Sequence, residues 1–378
     1  MATAVVIFVL VVALALIVTP FFARLTGVSV AEGRIGAIDG LRGYLALGVF
    51  VTHIFCWRKY LDTGEWTWLE TLFAQRLGEV GVAFFFMITA FLFTGKILSS
   101  PKVNWPRLFL SRLFRIYPLF LVTIVVVFLQ ALWVTGGEII PLADLWVELR
   151  QWLIFQQTFM NGVYSIPLNA GVIWTLAYEA VFYMLLPLIA VMLGRPPRFW
   201  VLVFPLLAIS HVALSESLWI QGFAPFVFGI VAALVADRPL LRRFAASPVA
   251  SVAAAGFILL SLSVHMPREA MLVCVGAAFI LISAGTDLFG ALTARVSRTL
   301  GEATYSIYLI HGLVLGLAFN VVIGVDAVRA LSLPVYFLIC VGLTVPIVGL
   351  SFATYRLIEL PGMRLGKSLR LPARPLTA

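Results

Sequence analysis

The chain has 378 residues, 62% apolar and 11% charged, whereas a soluble globular domain is near half apolar and a quarter charged. That balance excludes an ordinary soluble enzyme and equally a disordered or fibrous chain. The formal charge of +9 is scattered over short loops between apolar stretches, so it reads as a topology signal and not as a nucleic-acid surface.

Apolar runs of about 20 residues recur from Ala2 to Leu360, long enough for helices to cross a hydrocarbon core of ~30 Å. They lack the apolar–polar alternation of a membrane β-barrel. The expected fold is therefore all-α, a polytopic transmembrane helical bundle. The first run, 3–22, has no Lys or Arg before it and is followed by Arg24 and Arg34. It reads as an uncleaved helix whose N-terminus is outside. Further spans are expected near 40–57, 78–98, 114–135, 173–193, 199–214, 218–236, 248–265, 269–286, 302–323 and 334–357, about eleven in all by the length criterion. Residues 141–160 carry Asp144, Glu148, Arg150 and Gln156 and are expected at the interface, or re-entering without crossing.

With spans alternating from an outside N-terminus, all but six of the 26 Lys and Arg residues fall inside. The exceptions are Arg58, Lys59, Arg76, Arg150, Arg268 and Arg329. This positive-inside bias puts the C-terminus in the cytoplasm. Cys56, Cys274 and Cys340 have no metal-like or redox spacing and read as packing residues. No internal repeat is evident.

Ionisable groups inside spans are costly, which makes them the first candidates for function. Asp39-Gly-Leu-Arg42-Gly-Tyr44 opens the second span, and His53 follows Arg42 by eleven residues. That spacing puts them on one helical face, roughly 16 Å apart. Asp39 either caps the helix or pairs with Arg42; Arg42 and His53 serve function, or else snorkelling and interhelical bonding. Thr304, Tyr308 and His311 form a polar stripe on one face of a later span, as interhelical glue or as part of a site. Glu179, in Trp174-Thr-Leu-Ala-Tyr-Glu179, requires a cavity or a cationic partner. Arg112 and Arg115 share a face before the fourth span, suited to phosphate oxygens or to topology and lipid headgroups.

Together these segments resemble the acyltransferase-3 family of membrane O-acyltransferases. The match runs from about Gly33 to Leu365: Asp39 through His53, Phe84-Phe-Phe-Met-Ile-Thr89-Ala90-Phe91, Arg112 to Pro118, Trp174 to Glu179, Thr304 through His311, and Glu359-Leu-Pro361. Thr89-Ala90 replaces the family's Ser-Gly, and the 3–22 span is additional to its ten-helix unit. The resemblance divides the chain into an extra helix and linker (1–32), the acyltransferase unit (33–365) and a basic tail (366–378).

It implies transfer of an acyl group, most commonly acetyl, from cytosolic acyl-CoA to a hydroxyl of a cell-surface or secreted glycan or glycolipid, in a bacterial inner membrane and without a metal. His53 is the expected general base, grouped with Arg42, Glu179 and His311. Arg112, Arg115, Thr89 and Tyr308 are expected on the donor side, and Asp39 and Glu359 in structural or capping roles. Thr89, Tyr308 and His311 are also candidates to stabilise the oxyanion. Direct transfer and an acyl-His53 intermediate are both open. The competing reading is a proton-coupled carrier or flippase for a lipid-linked sugar, with the buried His and Glu as a relay.

Overall fold

Helices carry most of the chain in the computed structural model, which describes residues 1–30, 36–100, 102–214 and 220–369. Arg34, the first two residues of the 218–236 run, and Arg370 and Arg374 of the basic tail lie outside the described residues. The first helix, α1 (Ala2–Thr26), buries Ala4, Val11, Ala15, Thr19 and Ala23, while Val6, Leu10, Ile17 and Phe21 are exposed. Small side chains along the buried stripe allow close helix approach where lipid supplies no hydrophobic drive.

Three long helices follow: α2 (Gly36–Thr63), α3 (Leu72–Ser99) and α4 (Trp105–Val134). The second is buried on nearly all sides and forms the axis of the bundle. Asn104 caps α4 by accepting from the Arg107 amide at 3.1 Å, which fixes where Arg112 and Arg115 emerge two to three turns later.

Residues 142–169 contain no helix long and apolar enough to cross a membrane. They form α5 (Leu142–Leu153), a two-residue hairpin of β1 (Phe159–Met160) and β2 (Val163–Tyr164), and α6 (Ile166–Asn169). The segment seats on glycines of a later helix: a Cβ at Gly312 would lie 2.0 Å from the Asn169 carbonyl oxygen, and one at Gly316 2.2 Å from that of Leu168.

After α7 (Trp174–Met192) the helices shorten: α8 (Val203–Leu214), α9 (Ala224–Val235), α10 (Pro239–Ala245), α11 (Pro248–Ser263) and α12 (Arg268–Ala284). Then come α13 (Arg295–Glu302) and α14 (Thr304–Gly316), the latter continuing through a π-helical turn, Leu317–Val322. The last group is α15 (Val325–Arg329), α16 (Leu333–Gly342), α17 (Thr344–Thr354), a second π-helical turn at Tyr355–Glu359, and α18 (Leu360–Ser368).

Among the described residues, seven helical segments are long and apolar enough to cross a membrane, or up to eight if the pair 220–235 and 239–245, bent by 107°, is one span. Helices stand at all the sites expected from the sequence, but those at 199–214, 248–265 and 269–286 are shorter than the ~20 residues that span a bilayer unaided. Length and composition alone therefore support fewer crossings than eleven.

Ala90, where the family pattern has Gly, is accommodated from across the interface. A Cβ on Gly229 of α9 would lie 2.2 Å from the Met87 carbonyl oxygen and 2.7 Å from the Ala90 Cβ. Gly229→Ala is expected to destabilise the protein by about 1–3 kcal/mol through overpacking, seen as a lowered midpoint of thermal unfolding in detergent.

Candidate active site

Six helices converge on a cavity of about 530 Å³ lined by side chains from α2, α3, α4, α7, α14 and α18. Asp39, Arg42, Thr89, Arg112, Arg115, Glu179 and Tyr308 all line it. Its long direction follows α3. At one end the Arg112 guanidinium lies 5.0 Å from the Phe93 ring centre; at the other, the Phe85 ring stands 5.9 Å from Tyr308. Eight helical residues separate the two phenylalanines, a rise of ~12 Å. The cavity thus runs from a cationic end to an aromatic one.

The arginines at the cationic end differ in their partners. Arg115 is not a free surface cation: its Nη1 is 2.5 Å from the fully buried carboxylate of Glu359 and 2.8 Å from the Met363 sulfur. Glu359 begins the last helical stretch but makes no side-chain cap; its other oxygen accepts from Ser306 at 2.9 Å. The carboxylate therefore ties α4 to α14 and does not act as a helix cap. Arg42 sits 4.0 Å from Asp39 in the first turn of α2, a loose pairing. Among the described residues Arg112 has no carboxylate at ion-pair distance, which leaves its guanidinium the best placed of the three to take an anionic group.

Midway along, Glu179 of α7 accepts from the Tyr183 hydroxyl and, at 3.5 Å, from Thr89. Tyr183 was not singled out from the sequence, although its place four residues after Glu179 puts it on the same helical face. Ser306 carries no such local signal, because its partner Glu359 is remote in sequence. At the aromatic end the Tyr308 hydroxyl is 2.8 Å from the Thr175 hydroxyl and 3.2 Å from the Val172 carbonyl oxygen.

His53 and His311 lie outside the cavity lining, directly behind Tyr308. The His311 ring is 6.0 Å from that of Tyr308 and 5.1 Å from that of His53, nearly parallel to it. His311 Nδ1 is 3.0 Å from the Ile307 carbonyl oxygen, and a carbonyl only accepts, so Nδ1 carries the proton. In the neutral ring Nε2 then accepts, and His53 Nδ1, 2.9 Å away, must donate to it. The remaining nitrogen of His53, Nε2, is left with a lone pair. Both nitrogens of His311 are engaged, so it has no N–H to offer an oxyanion. Fully buried His311 thereby orients half-buried His53, which also faces Trp66 at 6.2 Å.

Residues 35–353 match the family model described as an acyltransferase domain. The chain is 26% identical over 377 residues to nodulation protein 10 of Rhizobium leguminosarum bv. viciae, covering 90% of this chain and 96% of that protein. It is 26% identical over 313 residues to acyltransferase MdmB of Streptomyces mycarofaciens, covering 75% of this chain and 79% of the relative. No solved structure gives a significant match. Nothing in these likenesses favours a carrier or flippase. With a family match across most of its length and several long apolar helices around a charged cavity, the chain belongs to the acyltransferase-3 family of membrane acyltransferases.

Proposed function

We propose that the protein moves an acyl group, acetyl foremost, from acyl-CoA to a hydroxyl of a cell-surface or secreted glycan or glycolipid. The observation that supports this most is the cavity from Arg112 to Tyr308 with the His53–His311 pair immediately behind it. The donor phosphates meet Arg112 and Arg42, and the pantetheine arm extends along α3 past Thr89 and Glu179. The acceptor approaches from the far side of Tyr308, where Trp66 flanks His53. His53 Nε2 takes the hydroxyl proton while the oxygen attacks the thioester carbonyl carbon. The carbon–sulfur bond then breaks, and the leaving thiolate recovers the proton from His53. Reacting atoms must come within roughly 3–3.5 Å, so the Tyr308 side chain leaves Thr175 during transfer. In the same reading about eleven helices cross a bacterial inner membrane, with the N-terminus outside and the cationic end of the cavity toward the cytoplasm.

Binding of acetyl-CoA and free CoA to the detergent-solubilised protein tests the donor site without knowledge of the acceptor. Arg112→Ala is expected to weaken both ligands by about ten- to a hundredfold, as for loss of a charge-assisted contact of roughly 1.5–3 kcal/mol. Unchanged affinity in calorimetric titration would remove Arg112 from the donor site.

A further inference from the structure

Three consecutive phenylalanines, Phe84, Phe85 and Phe86, cross the middle of α3, and they are put to different uses. Phe84 is buried against Phe279, with ring centres 6.2 Å apart. Phe86 is buried and stacked on Phe226 at 4.5 Å, so it is committed to packing although it borders the cavity. Phe85 is half-buried and lines the aromatic end of the cavity, as does Val82 one turn away. The positions 82, 85 and 89 fall on one helical face, so Thr89 marks the middle of the same wall. The end they close is held shut by Tyr308, whose hydroxyl is anchored to Thr175 and the Val172 carbonyl.

We infer that Phe85 and Val82 set the length of the acyl chain, limiting the donor to short acyl groups. The inference rests on the donor reading of the cavity. With the phosphates held at Arg112, the thioester arrives beside Tyr308 and the acyl tail points along α3 toward Val82. Acetyl fits in front of the Phe85 ring. A longer chain meets that ring, which packs against Tyr308 on a stretch of α3 pinned by Phe84 and Phe86. Truncating Phe85 extends the tail pocket along the helix, and each methylene then buried is worth about fourfold in affinity.

The test is competition of acetyl-, butyryl- and hexanoyl-CoA against radiolabelled acetyl-CoA on the purified full chain, with free CoA as reference. In the wild type, affinity is expected to fall from acetyl to hexanoyl. Phe85→Ala is expected to bind hexanoyl-CoA at least about tenfold more tightly than the wild type does, with free CoA affinity unchanged. Val82→Ala shifts the optimum in the same direction by a smaller factor and serves if Phe85→Ala does not fold. Variants that bind free CoA normally yet keep the wild-type length profile overturn the inference and leave the donor reading intact. Wild-type protein that binds neither CoA nor any acyl-CoA overturns the donor reading and the inference together.

Discussion

His53→Ala is expected to lower acyl transfer by at least about a hundredfold, the scale of a lost general base, while acetyl-CoA affinity stays near that of the parent. The imidazole lies outside the cavity that holds the donor in our reading, so its removal leaves the contacts at Arg112 untouched. What it removes is a base with an assigned tautomer. The His311 Nδ1–H donates to the Ile307 carbonyl and the His53 Nδ1–H donates to His311 Nε2, which leaves His53 Nε2 unprotonated. Release of CoA by membranes carrying the native acceptor measures transfer, and equilibrium binding measures the donor. Substantial transfer by the variant would refute the base assignment; loss of donor binding would make His53 part of the donor site instead.

The second large effect is on stability. Glu359→Ala is expected to cost about 3–5 kcal/mol, because the mostly buried Arg115 guanidinium loses its carboxylate 2.5 Å away and remains charged. The Ser306 hydroxyl loses its acceptor in the same substitution. A companion that removes both charges, Arg115→Met with Glu359→Leu, is expected to recover most of the loss, since an apolar pair of similar volume replaces a buried ion pair at little cost. Thermal unfolding in detergent distinguishes the two. If the single variant melts with the parent, the pair contributes nothing to holding α4 against the end of the chain.

Much of this architecture was legible in advance, and the reasons are physical. A helix in lipid satisfies its own backbone, so an apolar run announces itself without reference to neighbours. The short helices near 199–214 and 248–265 were harder, because their role depends on what surrounds them. At the site, the i to i+3 logic brought Arg112 and Arg115 to one face, yet gave no hint that one would be neutralised by Glu359 and the other have no carboxylate at ion-pair distance among the described residues. His53 and His311 could each be placed near mid-membrane from their own helix. That their nitrogens meet at 2.9 Å is a property of how α2 and α14 pack, which single-helix periodicity does not contain. The same holds for Thr89 and Glu179, brought together by the approach of α3 and α7. Asp39 and Arg42, three residues apart, and Glu179 and Tyr183, four apart, could be read locally.

The π-helical turn at Tyr355–Glu359 gives the final span a property that a uniform helix would lack. Before it, α17 packs on α1 and α14; beyond it, α18 packs on α4. A wide turn holds one residue more than an α-helical one and so resets the angular phase of everything that follows. The two halves of the span are therefore indexed independently, each to its own neighbour. Glu359 closes the wide turn and is swung inward to Arg115 and Ser306, while the stripe on α17 keeps its alignment with α1. Changes in how that first helix is seated can then be absorbed upstream of the turn without rotating the carboxylate that holds Arg115 at the cationic end of the cavity.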